Sequence, residues 1–335
     1  MQVLAARQGV PKELKGAVVA IGNFDGIHRG HQKLLEITRA RAQADGRPWG
    51  VVTFEPHPRT FFKPSEPVFR LTPAALKSRL IAALGASFTD VLDFNSELSS
   101  LEPTAFVARY LTERLAVTHV VSGYDFHFGR GRKGSPASMV EFGKAHGFGV
   151  TIVDQVTDEG DLHSPFSSSS IRRALRHGHV ADAAHELGYH WTVMGEVVKG
   201  DQRGRAIGFP TLNIVLEPGA DPFRGIYAVR VRDAAVKGGG AWPGAGYFGD
   251  RPTFDTGRTF LEAFLIGFTG DLYGKTLLVE LVDLIRPDRR FNSVAELTEQ
   301  MQQDCEAASA RLARLDRDNP LTGFPLGRRQ EEGLI

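Results

Sequence analysis

A doubly wound α/β module followed by an all-β module is the fold that this 335-residue sequence predicts. Three observations predict it. Short apolar runs alternate with helix-period segments as far as Leu187. Strand-like runs rich in turn residues replace them from Trp191 to Arg286. One long helix-period segment, residues 292–315, follows. At about 150 residues per domain, the length suits two domains. A chain that is 42% hydrophobic and 24% charged has ordinary globular composition and fills more than one core.

In order along the chain, residues 17–22 (AVVAIG) are an apolar run ending in glycine and read as a strand. Residues 28–44 have helical spacing, with Leu34, Leu35 and Ile37 on one side. Residues 50–54 then read as strand, 73–84 as helix, 90–94 as strand, 103–115 as helix, 118–122 as strand, 138–146 as helix and 150–153 as strand. Continuous apolar strands separated by helices predict a parallel sheet covered on both faces. Ligands of such sheets bind beyond the carboxyl ends of the strands. A short helix over 180–187 leads to a boundary at 187–191. Strands then fall at 192–199, 211–216, 225–232, 241–248, 259–268 and 276–285. Six strands at short spacing predict a barrel or a sandwich. The tail from Asp318 is polar and lacks periodicity, so it is expected to be mobile. The domains read as 1–187 and 188–317, with 318–335 as tail.

Lys plus Arg number 40 against 39 Asp plus Glu, a formal net charge of +1. A protein that neutralises many backbone phosphates carries a clear basic excess, so no nucleic-acid partner is expected. The one cysteine, Cys305, forms no intramolecular disulfide and reads as an ordinary helix residue. No run approaches the ~20 apolar residues of a membrane span, and the opening segment has no apolar core of signal-peptide length. No membrane contact and a cytoplasmic setting are expected.

The segment GNFDGIHRGH, from Gly22 to His31, lies at the first strand-to-helix turn. Glycines there let the backbone approach a ligand. His28 and His31, spaced i and i+3, share one side of the first helical turn, whose free N–H groups favour an anion. Two imidazoles beside an anion site suit stabilisation of charge on a phosphorus transition state. The alternatives are a metal pair or two surface histidines. Zinc wants a third ligand and usually i, i+4 spacing.

HRGH matches the HxGH signature, and here the chain resembles the nucleotidylyltransferase superfamily. The fuller resemblance is to the prokaryotic bifunctional riboflavin kinase/FAD synthetase family. FDGIHRGH, TFEPHP (residues 53–58), LTP with a lysine following (Leu71 to Lys77), GYDFHFG (123–129) and SSSSIR (167–172) stand in that family's order. The resemblance implies a Rossmann-like N-terminal domain in which His28 and His31 contact ATP phosphates. It places Gly22, Phe24, Asp25 and Gly30 in the same ATP-binding segment and Asp125 near the nucleotide or flavin. Ser168, Ser169 and Arg172 would hold the outgoing pyrophosphate. Independently, a serine run opening a helix is an N-cap, and Arg172 adds fixed charge. The family usually has threonine then arginine where this chain has Ser169 and Ser170.

Two other glycine-rich stretches read differently. GRGRKG (129–134) fits the dinucleotide pattern, but YDFHF separates it from its strand and Pro136 follows at once. A mobile, basic loop over the substrates is the better reading. GDLYGKT (270–276) is one residue short of a phosphate-binding loop and sits between two strands, so it reads as a hairpin turn.

In the second module, GEVVKGDQRGRAIGFPTLNI spans 195–214. A strand leads into a glycine-rich basic loop, in which Lys199, Arg203 and Arg205 attract phosphates and Gly200, Gly204 and Gly208 allow backbone contacts. Thr211 and Asn213 alternate along the next strand, so both face one side. Two small oxygen ligands suit a phosphate-bridging Mg²⁺, and a polar hairpin with one solvated face explains the pattern equally well. The segment resembles the riboflavin kinase signature, with PTxN as Pro210 to Asn213. GIYAV (225–229), GDRPTF (249–254), GDLYGK (270–275) and IRPDRRF (285–291) follow in family order. This implies a six-stranded β-barrel with a C-terminal helix, ATP binding by Gly195, Lys199, Gly200, Arg205, Gly208 and Pro210, and metal ligation by Thr211 and Asn213. Glu262 falls where the family places its kinase base. It shares a strand face with Phe260, Phe264 and Ile266, so burial is expected to raise its pKa toward a useful range. An edge-strand glutamate reaching water is the plainer alternative. Tyr247, Phe264 and Gly267 stand where the family usually has asparagine, histidine and aspartate.

The sequence thus reads as an enzyme that phosphorylates riboflavin with ATP and then adenylylates FMN to FAD, with Mg²⁺ at both sites. The alternatives are a monofunctional FAD synthetase with a weakened kinase module, a non-catalytic flavin-binding protein, and adenylylation of another small phosphate ester.

Overall fold

The computed structural model describes residues 1–5, 8–157, 165–200, 204, 208–249 and 259–335. The chain divides into two compact units, Met1–Val68 with Lys77–Phe166, and Phe69–Leu76 with Ser167–Ile335.

The first unit is built on strands β1 (Gln2–Ala5), β2 (Val18–Ile21), β3 (Trp49–Glu55), β4 (Phe88–Asp93), β5 (His119–Gly123) and β6 (Gly149–Val153). Every pairing is parallel and the order is β1-β4-β3-β2-β5-β6. The edge strand β1 adds to the five strands legible in the sequence. Helix α1 (Arg29–Ala44) follows β2 and buries Leu34 and Leu35. After β3 come α2 (Pro58–Phe62) and α3 (Ala74–Ala83), and after β4 come α4 (Ser96–Ser100) and α5 (Pro103–Phe106). Helix α5 continues as a π-helical stretch, Val107–Arg114. Helix α6 (Pro136–His146) opens on a reciprocal Ser135–Ser138 capping box and ends at left-handed Gly147. One face of the sheet forms a core of Val19, Ile21, Val52, Phe54 and Val120 against Phe106, Leu111 and Met139. The chain leaves β2 toward β3 on one side and reaches β5 on the other, so the order reverses at β2. The crevice beyond the carboxyl ends of β2 and β5 is where ligands bind in such sheets.

Helices α7 (Ser168–Arg176) and α8 (Val180–Leu187), read in sequence with the first module, pack with the second unit. Arg172 Nε donates to the Phe69 carbonyl at 2.7 Å, and the Phe223 N–H donates to the Leu175 carbonyl at 2.8 Å. Strands β7 (Thr192–Val198), β8 (Leu212–Leu216), β9 (Gly225–Asp233), β10 (Trp242–Phe248), β11 (Thr259–Leu265) and β12 (Thr276–Pro287) close into a barrel, order β10-β11-β8-β7-β12-β9, antiparallel throughout. Barrel, not sandwich, is the outcome. On β11 the pleat sends Leu261, Ala263 and Leu265 into the fully buried layer and Phe260, Glu262 and Phe264 to the opposite face. The turn GDLYGKT is a connection but not a hairpin. It joins β11 to β12, which are not neighbours in the barrel, and is pinned by hydrogen bonds between Val197 and both Gly274 and Lys275.

Helix α9 (Val294–Arg317), N-capped by Ser293, lays Ala308 and Leu312 on Ala228 and Val282 of the barrel. The tail expected to be mobile is instead folded. Pro320–Gly323 makes one 3₁₀ turn and Pro325–Glu331 forms α10. Leu326 and Ile335 are buried, and the Gln330 side chain bonds the His190 N–H, the His190 carbonyl and the Thr192 hydroxyl at 2.8, 3.0 and 2.9 Å. Glu331 reaches Arg230 at 2.9 Å beside the buried Arg230–Glu280–Arg232 cluster. Gln330 and Glu331, two of the polar residues that made the tail look unstructured, are its docking contacts. Trp191, also buried, donates its indole N–H to the Leu71 carbonyl at 2.9 Å.

Candidate active sites

In the first unit, the loop from Gly22 to His28 leaves the carboxyl end of β2. It is backbone-strained: Phe24 and Ile27 have φ of 48° and 39°, and Gly26 has 86°. Positive φ at bulky residues is costly and gathers at functional sites. Phe24, Asp25, Ile27 and His28 are buried. His28 is the N-cap of α1, its Nδ1 accepting from the His31 N–H at 3.4 Å. Thus one of the free N–H groups expected to face an anion is already capped by the histidine itself. The rings of His28 and His31 stack with centroids 3.7 Å apart, and Phe24 meets His31 edge-on at 5.2 Å. A Cβ on Gly30 would press to 3.2 Å from the His28 ring, and one on Gly22 to 3.3 Å from Phe24. A side chain at either glycine would therefore crowd the rings of the turn. His31 Nδ1 is enclosed without a hydrogen-bond partner, and burial, then the charge of Lys77, hold the imidazole down to about 3. The adjacent strand β5 ends in Gly123, and Asp125 follows, exposed, with its carboxylate close to Gly123. The structure thus brings Gly22, Phe24, Asp25, His28, Gly30 and His31 together at the end of β2, with Asp125 at the end of the neighbouring strand. GRGRKG is a closed turn, not a dinucleotide loop: Phe128 and Gly134 exchange both backbone hydrogen bonds across a single 3₁₀ turn.

Ser168, Ser169 and Arg172 lie on the first turn and a half of α7, in the second unit. Ser167 caps this helix. Ser170 binds the Glu186 carboxylate of α8 at 2.5 Å, and the Ser167 N–H reaches the same oxygen at 3.4 Å. Ser170, in the family's arginine position, therefore anchors the serine run to α8.

The second site is written in the barrel register. Asn213 of β8 faces Glu262 of β11, Glu262 faces Tyr247 of β10, Tyr247 faces Ile226 of β9, and Ile226 faces Arg286 of β12. Side chains directly opposite across a ladder have Cβ atoms about 4.5–5.5 Å apart. All five residues, with Thr211 and Phe264, line a cavity of about 330 Å³, closed on its other side by Leu297, Met301, Asp304 and Cys305 of α9. Glu262 is half-buried on this face beside polar Asn213 and Tyr247, so it is not the isolated buried glutamate that the apolar spacing suggested. Asn213 is buried, and its Oδ1 has no hydrogen-bond partner. Gly200 makes room for it: a Cβ there would overlap Asn213 Nδ2. Gly195 is equally constrained, since its Cβ would strike the Val215 carbonyl. Lys199 and Pro210 are exposed, Lys199 lying 5.9 Å from the Tyr273 ring, and Gly208 has a left-handed φ of 85°. Arg203, Arg205 and most of the GDRPTF motif fall outside the described residues.

Sequence reasoning missed three features. Cys305 lines the cavity, and burial pushes its thiol up to about 11. Arg286 forms a two-pronged pair with Asp304, and the Tyr247 hydroxyl donates to Asp288 at 3.0 Å. The signal for Arg286 was its place in IRPDRRF, but Asp304 lies in an ordinary-looking polar helix. Among the described residues no three His, Cys, Asp or Glu side chains cluster as a metal site, and no helix is long and apolar enough to cross a membrane.

A histidine turn on a reversed parallel sheet and a polar row on an antiparallel barrel define a two-domain phosphate-transfer architecture. A family model for FAD synthetase matches residues 10–168, and one for riboflavin kinase matches residues 187–312. The bifunctional riboflavin kinase/FMN adenylyltransferase of Pseudomonas fluorescens is 37% identical over 314 residues, 92% of this chain and 97% of the relative. Those of Escherichia coli K12 and Listeria monocytogenes are each 36% identical, over 87% and 89% of this chain and 91% and 93% of theirs. A crystal structure described as a macrolide-efflux protein from Streptococcus pneumoniae has a TM-score of 0.77 at 31% identity, covering 92% of this chain and 99% of that one. The chain belongs to the bifunctional riboflavin kinase/FMN adenylyltransferase family.

Proposed function

We propose that this protein makes FAD from riboflavin in two ATP-dependent steps. One observation carries the reading: the same chain holds the stacked His28–His31 pair at the sheet's reversal point and the Asn213–Glu262 pair on the wall of the barrel cavity. In the kinase step, the Glu262 carboxylate takes the proton of the riboflavin 5′-hydroxyl as that oxygen bonds to the γ-phosphorus of ATP. The bond to the ADP oxygen breaks, and FMN and ADP leave. The Thr211 hydroxyl and the unpartnered Asn213 Oδ1 are oxygen donors of the kind a Mg²⁺ ion takes, so these residues would hold it. When bound, the ion neutralises phosphate charge. In the adenylyltransferase step, a phosphate oxygen of FMN bonds to the α-phosphorus of a second ATP, and pyrophosphate leaves. His28 and His31 orient the α-phosphate by hydrogen bonding. The expected setting is the cytoplasm, where ATP is supplied.

Purified protein incubated with riboflavin and Mg-ATP should yield FMN first and then FAD on chromatography. Absence of both products overturns the reading. Conversion of supplied FMN, but not of riboflavin, would favour the second reading, an FAD synthetase with a silent kinase module. Tyr247 and Phe264, both departures from the family pattern, stand on the cavity wall beside Glu262 and are the observation behind that alternative.

A further inference from the structure

Lys77 is among the largest fully buried side chains of the molecule, at 1% exposure. A lysine is almost never fully buried unless it is paired. Its ammonium lies at the carboxyl end of β3, donating to Glu55 Oε1 at 2.8 Å and to Thr53 Oγ1 at 3.3 Å. Thr53, buried as well, spends its own hydroxyl proton on the Asn23 carbonyl at 3.2 Å. Asn23 begins the strained loop that carries Phe24, Ile27 and the histidine turn. A three-member chain thus runs from a buried charge, through one hydroxyl, to the backbone that aims His28 and His31.

We propose that Lys77 is the positioning residue of the adenylyltransferase site: anchored by Glu55, it polarises Thr53 and so fixes the Gly22–His28 loop in its strained form. The direction of each hydrogen bond is forced. An ammonium only donates, so Thr53 must accept from it and has its single proton left for Asn23. Such chains strengthen each bond, and the low local dielectric keeps the charge effective. Without this tie, two residues at positive φ have less to hold them against relaxation. Burial first, and then the same charge, oppose protonation of His31, so it works as a neutral imidazole. The charged and titratable groups at this end of the sheet include Asp25 on the loop, His28 on the cap, Arg29 on α1, Glu55 on β3, Lys77 on α3 and Asp125 beyond β5. Lys77 combines full burial with a link to the loop through Thr53.

The proposal rests on the adenylyltransferase reading, and its test has one arm free of it. Lys77→Met and Thr53→Val should each lower kcat for FMN adenylylation by about 10- to 100-fold, with the KM for ATP changed less, since misplacement of about 1 Å costs on that order. Thr53→Ser should restore activity. Kinase turnover of riboflavin, carried by the second unit, should stay within about 2-fold and so report correct folding. In the unliganded protein, the His31 ring signal in NMR should begin to titrate at higher pH in Lys77→Met than in wild type, whether or not FAD is ever made. Should Lys77→Met lose both activities, Thr53→Val alone decides. Unchanged adenylylation and an unmoved His31 titration in these variants overturn the proposal. So does a loss in Lys77→Met that Thr53→Val does not share.

Discussion

Asp304 on the long C-terminal helix holds Arg286 of the last barrel strand through two hydrogen bonds, 2.8 and 2.7 Å, so one wall of the barrel cavity is tied to the other. Both residues line the cavity, and Gln300 adds a third contact to Asp304 at 3.0 Å. Removing one partner of such a buried pair leaves the other charge uncompensated, at a cost of about 3–5 kcal/mol. Asp304→Ala should therefore lower the denaturation midpoint of the second unit and raise the riboflavin KM. Adenylylation of supplied FMN should continue. Thermal unfolding with both assays checks this, and an unchanged midpoint would count against the pair as the fastener.

Glu262→Ala should cut riboflavin phosphorylation by about 10²- to 10⁴-fold, the usual worth of a general base. Supplied FMN should still become FAD. His28→Ala should give the mirror result, with FMN accumulating. A single time course of FMN and FAD for each variant separates the two modules. Equal loss of both activities in either variant would refute the assignment.

Gly200→Ala should behave like a metal-ligand mutation although it removes no ligand. The added methyl would overlap Asn213, whose Oδ1 has no hydrogen-bond partner and is one of the two oxygens proposed to hold Mg²⁺. The expected outcome is a fall in kinase kcat of about 10-fold or more, with a raised Mg²⁺ requirement. Retention of wild-type Mg²⁺ dependence would show that Asn213 can shift without consequence.

His190 sets an acid limit on the barrel unit. It is 5% exposed, and burial, reinforced by Arg230, takes its protonation from the ordinary 6.5 down to about 3. The native state therefore holds fewer protons than the unfolded chain between those values. Its stability contribution is intact above 6.5 and declines as pH falls toward 3, by about 1.4 kcal/mol per pH unit. Urea midpoints at pH 7 and pH 5 should differ more for wild type than for His190→Phe. Identical slopes would mean that other groups dominate the acid sensitivity.

Much of this was legible beforehand. The alternation of apolar runs and helical periods gave the parallel sheet, because both faces of each strand are buried and the runs stay continuous. The alternation along residues 259–268 placed Glu262 and Phe264 on one face, as found. What was not legible depended on partners remote in sequence. Nothing local distinguishes Asp304 from its helical neighbours; Arg286 defines it. Lys77 and Thr53 stood in two separate family motifs, LTP with its lysine and TFEPHP, and only the fold brings Thr53 beside the ammonium. The tail misled for a related reason. Gln330 and Glu331 read as solvent-facing residues until His190 and Arg230 are set opposite them.

The indole of Trp191 bonded to the Leu71 carbonyl has a practical corollary for dissection. The polypeptide passes between its two units at 68/69, again at 76/77 and again at 166/167. A single cut at the apparent boundary near residue 187 would therefore sever the barrel from residues 69–76, and from the two helices that travel with it. The C-terminal half produced alone should expose Trp191, with red-shifted fluorescence and poor solubility. Adding back a peptide spanning residues 69–76 would be the natural way to quench that exposure.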